Sequence, residues 1–183
     1  MNMNICVYCS AKDQIADEYK QLGRELGAWI AQNGHSLVFG GATGGLMTEV
    51  SRSAFEAGGQ VLGVITERIL RAGRRSPFLT KEVVVKNMNE RKQIMKQEAD
   101  CFVCLPGSYG TLDEMFDVIA SATVGEHHKQ IFILDYKGFY KPLRKQIELM
   151  KAEMFIPVLE SFNPTFVEEM NDLKSYLVTL KLS

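Results

Sequence analysis

The 183 residues are enough for one domain with a sizeable core, and their 46% hydrophobic and 23% charged content is ordinary for a globular protein. Lys and Arg (21) nearly balance Asp and Glu (22), which speaks against a nucleic-acid-binding domain with its basic footprint. No stretch approaches the roughly 18 uninterrupted apolar residues of a membrane span, and MNMNICVYCSAKDQ lacks the pattern of a signal peptide, so the expected location is cytoplasmic.

NICVYC (4–9) predicts a first strand. A helix is expected over 13–33, with Ile15, Tyr19, Leu22, Leu26 and Ile30 at spacings of three and four, ended by Gly34. A second strand over 36–39 leads into the cluster GGATGGLM and a helix to about Ala57. QVLGVI (60–65) gives a third strand. TERILRAGRRSPFLT (66–80) has no clean period and is expected to be a loop, of a length often functional. A fourth strand (82–86), a helix (88–98) and a fifth strand, DCFVCL (100–105), follow. Pro106–Thr111 is a second glycine loop opening a helix to about Val124. QIFILD (130–135) is a sixth strand, with a helix over 139–153. The tail is expected to carry a helix over 164–180, after a short edge strand near 159–162. Nearly continuous apolar strands alternating with helices mean a Rossmann-like, doubly wound parallel sheet covered on both faces. Ligands bind such sheets beyond the strands' carboxyl ends, where both glycine clusters fall.

The four cysteines form two CxxC pairs, Cys6/Cys9 and Cys101/Cys104, a spacing that also occurs in zinc sites. Both pairs lie in strand-like runs, where residues three apart point to opposite faces, so the thiols of each pair diverge. They are read as small buried hydrophobes, and no metal is expected. His35, His127 and His128 form no ligand spacing or triad and are read as surface residues.

Gly40-Gly41-Ala42-Thr43-Gly44-Gly45-Leu46-Met47 matches neither the dinucleotide fingerprint nor the P-loop. It fits equally a backbone approach to a ligand, through residues such as Gly41 and Gly44, or a tight turn with close packing. Pro106-Gly107-Ser108-Tyr109-Gly110-Thr111-Leu112-Asp113-Glu114 says more. Amides at a helix start, with the Ser108 and Thr111 hydroxyls, suit a phosphate, and Glu114 is expected in the same first turn. The alternative is that Asp113 and Glu114 only complement the helix dipole. In Met88-Asn89-Glu90-Arg91-Lys92 two cations sit near a helix start, a conflict that an anionic ligand would remove.

These two segments together resemble the LONELY GUY family, whose signature is an Arg-Lys pair followed at about this separation by Pro-Gly-Gly-x-Gly-Thr-x-x-Glu. The similarity runs from about Asn4 to Tyr140. It implies a cytokinin riboside 5′-monophosphate phosphoribohydrolase, releasing an adenine-type base and ribose 5-phosphate from a nucleoside 5′-monophosphate, often as a homodimer. An older description of such proteins as possible lysine decarboxylases finds no support in any pyridoxal phosphate pattern here. By the resemblance, Arg91 and Glu114 fall on catalytic positions. Lys92 and the loop of Gly107, Ser108, Tyr109, Gly110 and Thr111 fall on substrate-binding positions, with Met88, Gly41 and Gly44 as further candidate contacts. Ser108 replaces the second glycine of the signature, Ala42 a third consecutive glycine, Ser10-Ala11-Lys12 a Gly-Ser after the first strand, and Ala120 a Thr. Each is expected to touch the nucleotide pocket.

The implied reaction needs no metal or redox cofactor. Glu114 must be ionised, as an unperturbed glutamate of pKa about 4.3 is at neutral pH, and Arg91 supplies a permanent planar cation. Two other readings share the scaffold: a non-catalytic nucleotide or cofactor carrier, and a hydrolase acting mainly on unmodified AMP. Groups that read the base are expected in the 66–80 loop or across a subunit interface.

Overall fold

In the computed structural model, which describes residues 2–156 and 164–180, seven parallel strands form one sheet in the order β4-β3-β2-β1-β5-β6-β7. The strands are β1 (Asn4–Tyr8), β2 (Ser36–Phe39), β3 (Gln60–Thr66), β4 (Lys81–Val85), β5 (Cys101–Cys104), β6 (Ile131–Leu134) and β7 (Thr165–Val167). The helices are α1 (Asp17–Gln32), α2 (Gly45–Glu56), α3 (Glu67–Arg71), α4 (Met88–Glu98), α5 (Tyr109–Thr123), α6 (Lys141–Ala152) and α7 (Met170–Thr179). This is the doubly wound arrangement expected. The chain winds outward from β1 to β4, then returns to β1's other side as β5, so the winding direction reverses between β1 and β5. A crevice at the carboxyl ends of the strands is the geometric consequence.

Alternation along each strand feeds two apolar layers. Ile5, Val7 and Cys9 pack with Leu26, Ile30, Val50 and Leu173 on the α1, α2 and α7 side. Cys6 and Tyr8 pack with Val64, Met95, Met115 and Val118 on the α4 and α5 side. The CxxC thiols diverge accordingly, Cys9 and Cys101 into the first layer, Cys6 and Cys104 into the second. All four are free and buried.

Four expectations are corrected. Helix α1 begins at Asp17, four residues late, because the Asp13 carboxylate accepts a hydrogen bond from Gly45 N at 2.8 Å and so serves the glycine turn instead. The 66–80 segment is not wholly loop: α3 forms after Thr66, whose hydroxyl accepts from Ile69 N, and five residues are too few to show a period. The stretch after Pro164 opens with β7, which pairs with β6, and the helix starts only at Met170; the edge strand expected near 159–162 lies outside the described residues. Finally, His35 and His127 are half-buried, with His35 Nδ1 accepting from Met3 N at 3.2 Å and His127 Nε2 bonded to Val118 O at 3.0 Å; His128 is exposed.

Candidate active site

The site is built where three loops meet. Ser10 N, just past β1, donates to Pro106 O (3.3 Å), just past β5, and Met47 N at the start of α2 donates to Ser10 O (3.1 Å). Thr43 N in the glycine turn donates to Arg74 O at 2.8 Å, which fastens the segment after α3 to the same point. Gly44 and Gly45 adopt φ of 120° and 47°, a region that disfavours side chains, and their amides are engaged by Thr48 Oγ1 and Asp13 Oδ1. The first glycine cluster therefore works as a tight turn, and neither Gly41 nor Gly44 lines the cleft.

Helix α4 is capped by Asn87, whose side chain accepts from Glu90 N (3.0 Å), while Glu90 accepts from Lys86 N (3.0 Å). This reciprocal box places a carboxylate in the first turn, the end where the helix dipole favours it. The two cations are also answered within the chain, without an external anion. Arg91 turns inward: its Nε donates to Val64 O (2.9 Å) and its Nη1 to Glu114 Oε1 (2.7 Å). Lys92 turns toward α5, where its ammonium lies 2.9 Å from Asp113 and 3.3 Å from Asp117. Those bonds outweigh the effect of burial and raise its pKa.

Arg91 reaches this position because Gly40 has no side chain. A Cβ there would fall 1.6 Å from Arg91 Nη2. Gly107 plays a similar part, since its Cβ would lie 2.0 Å from Thr111 Oγ1, and Thr111 is buried beneath the loop. Ser108 is the N-cap of α5 but its side chain makes no capping bond, and its φ of −106° is unstrained. Glu114 belongs to the second turn of α5, not the first, so it is not a residue that complements the dipole. Burial pushes its pKa above the ordinary glutamate value, and Arg91 offsets part of that rise. The expectation of an unperturbed Glu114 is thus corrected.

A cleft of about 160 Å³ opens over the pair. Its walls include Ser10, Lys12, Arg74, Ser108, Gly110 and Thr111, with Arg91 and Glu114 at its floor. Cys9 and Met47 also contribute, but burial pushes the Cys9 thiol up, which disfavours a thiolate. Of the sequence-derived candidates, Arg91, Glu114, Ser108, Gly110 and Thr111 are brought together here. Lys92, Met88, Gly107 and Tyr109 are not in the wall: Met88 touches Arg91 through its sulfur at 3.9 Å, and Tyr109 is 90% exposed. Among the departures from the family signature, Ala42, Ser108 and Ser10-Ala11-Lys12 line the cleft, whereas Ala120 is on the exposed side of α5. Arg74 and Gly40 were not singled out from the sequence; Gly40's place directly after a strand was the available signal. A larger depression of about 570 Å³ beside α6 is lined by mixed charges, including Lys141, Arg144, Glu148 and Glu168, away from this pair.

The cytokinin riboside 5′-monophosphate phosphoribohydrolase of Rhodococcoides fascians is 36% identical over 154 residues, covering 84% of this chain and 78% of that protein. The chain belongs to the LONELY GUY family. The phosphoribohydrolase LOG of Oryza sativa subsp. japonica is 37% identical over 152 residues, or 83% of this chain, which spans only 63% of the rice protein's length. Residues 47–176 also match the family described as "Possible lysine decarboxylase". Among solved structures, the molybdenum cofactor carrier protein of Chlamydomonas reinhardtii superposes with a TM-score of 0.72, covering 97% of both chains at 20% identity, a likeness of fold alone.

Proposed function

We propose that residues 1–183 act as one nucleotide-binding domain that hydrolyses the N-glycosidic bond of a nucleoside 5′-monophosphate with an adenine-type base. The observation that carries this reading is the buried Arg91–Glu114 pair at the floor of a cleft beside the amino end of α5. The LONELY GUY relatives, named as phosphoribohydrolases, support the same reaction. As the C1′–N bond breaks, its electrons leave with the base and positive charge grows on the ribose. Glu114 stabilises that charge and takes a proton from the attacking water, whose oxygen bonds C1′. The proton lost by water balances the one gained by the base. Arg91 favours the ionised carboxylate against the effect of burial and fixes its direction. The first-turn amides of α5 receive the 5′-phosphate.

The proposal extends to a homodimer in the cytoplasm. Tyr109 and Phe116 on α5, Val124 just past its end and Met88 on α4 leave apolar surface exposed on this side of the sheet. Four unpaired cysteines suit a reducing compartment, and among the described residues no helix is long and apolar enough to cross a membrane. The deciding experiment incubates the protein with AMP, N6-isopentenyl-AMP and the matching nucleosides and separates the products. Free base and ribose 5-phosphate from the monophosphates, and far less from nucleosides, is expected. Nucleotide binding without any base release would make the protein a carrier.

A further inference from the structure

On the reading that the cleft holds a nucleoside 5′-monophosphate, Lys92 is poorly placed to meet the phosphate. Its side chain is only 14% exposed, and its ammonium is already shared between Asp113 and Asp117. The next turn repeats the pattern, with Lys96 against Asp117 at 2.9 Å. Lys92 and Lys96, four residues apart on α4, thus face Asp113 and Asp117, four apart on α5, and tie the helices together.

The cleft itself offers two other cations. Lys12 stands in the loop after β1, whose backbone is pinned from both sides: Lys12 N donates to Ser10 Oγ (3.2 Å), and Ser10 in turn bonds Pro106 O. Arg74 stands in the segment after α3, its Nη2 donating to Thr43 O (3.1 Å) across the glycine turn. Both side chains are exposed to solvent, both line the cleft that Ser108, Gly110 and Thr111 also line, and no carboxylate pairs with either among the described residues. With Arg91 they make three cations against the single carboxylate of Glu114. A phosphate monoester carries about −1.5 to −2 charges at neutral pH, which matches that surplus.

We propose that Lys12 and Arg74, rather than Lys92, supply the counter-charge for the substrate's 5′-phosphate.

The test measures KM for AMP and N6-isopentenyl-AMP, and the affinity for inorganic phosphate by calorimetry. Lys12→Ala and Arg74→Ala should each weaken phosphate binding and raise KM about tenfold or more, with kcat little changed. Lys12→Arg should restore affinity, and Lys92→Ala should weaken phosphate less than Lys12→Ala does. A tenfold loss in Lys92→Ala with Lys12→Ala and Arg74→Ala within twofold of wild type overturns the assignment. Base release by wild type with a KM indifferent to Lys12 and Arg74 overturns it too, while leaving the hydrolase reading intact. Phosphate affinity that depends on Lys12 in a protein releasing no base would keep the assignment and remove the hydrolase reading instead.

Discussion

Arg91 Nη1 donates to Glu114 Oε1 across 2.7 Å, and the two side chains are only 4% and 3% exposed. Two charges this well hidden from water need each other: a buried ion pair gives little net stability, but removing one partner strands the other at a cost of about 3–5 kcal/mol. The pair is therefore structural, and under the proposed function also chemical, so substitutions in it must be read with both consequences in view.

Glu114→Gln keeps the shape of the side chain and removes its charge. Base release should fall about 10²–10⁴-fold, the usual worth of a placed general base, and the melting temperature should drop because Arg91 loses its counter-ion. Nucleotide affinity, followed by calorimetry on the folded variant, should change little. Glu114→Asp, which preserves the charge, separates the two effects by recovering stability more than turnover. Wild-type turnover in Glu114→Gln would remove Glu114 from the chemistry.

The raised pKa of Glu114 has a definite sign in both activity and stability. In the proposed mechanism turnover needs the ionised form, so the acid limb of the kcat profile should lie above the ordinary glutamate range. The folded state holds its proton to higher pH than the unfolded state does. Stability from this group is therefore fully present below the ordinary glutamate pKa, declines as pH rises through the window up to the folded value, and is level beyond it. Urea midpoints of wild type and Glu114→Gln across that window check the prediction, since the Gln variant should lack this slope.

Gly40→Ala should damage the site without touching any reacting group. The new Cβ would overlap Arg91 Nη2, so the guanidinium must move and carry Glu114 with it. A displacement of about 1 Å in such a site can cost on the order of 10²-fold in rate. Kinetics alongside circular dichroism would show a folded protein with impaired turnover; unchanged kcat would mean the Arg91 position is not needed.

Ser108→Gly is expected to be mild. The φ of −106° means that serine pays no left-handed penalty here, and its hydroxyl caps nothing. Affinity for a 5′-monophosphate should shift by less than about tenfold, or 1.4 kcal/mol. Strong base release appearing only in Ser108→Gly, from an inert wild type, would show that this serine had disabled the hydrolase.

Tyr140→Phe tests the support behind the glycine loop at 106–111. Tyr140 is buried, its hydroxyl donates to Leu105 O at 2.8 Å, and its own amide donates to Asp135 Oδ1 at 2.6 Å. Loss of the hydroxyl leaves a carbonyl next to Pro106 short of a donor, at a cost of about 1–3 kcal/mol. The measurable result should be a lower melting temperature and a raised KM for AMP, with kcat within a few-fold; an unmoved KM would show that the loop keeps its shape without this bond.

The alternating apolar runs determined the parallel sheet and most of its strands, because a strand buried on both faces must be apolar almost throughout. The divergence of the CxxC thiols followed from the same two-residue period. Arg91, Glu114 and the Gly107–Thr111 loop stood out in the sequence because their spacing matches the family signature, though Gly107 and Tyr109 lie outside the cleft wall. The partners of those residues were not legible, since a one-dimensional spacing does not say which faces of two helices meet. Successive residues of α4 project about 100° apart, so Arg91 points under the ends of β2 and β3 while its neighbour Lys92 faces α5. Only the packing of α4 against α5, with Asp113 and Asp117 stacked one turn apart, decided that Lys92 is a tie between helices. Only the convergence of the loops after β1, β2 and α3 placed Lys12 and Arg74 around one cleft and Gly40 against Arg91, because hydrogen bonds such as Ser10 to Pro106 and Thr43 to Arg74 join residues 96 and 31 positions apart in the chain.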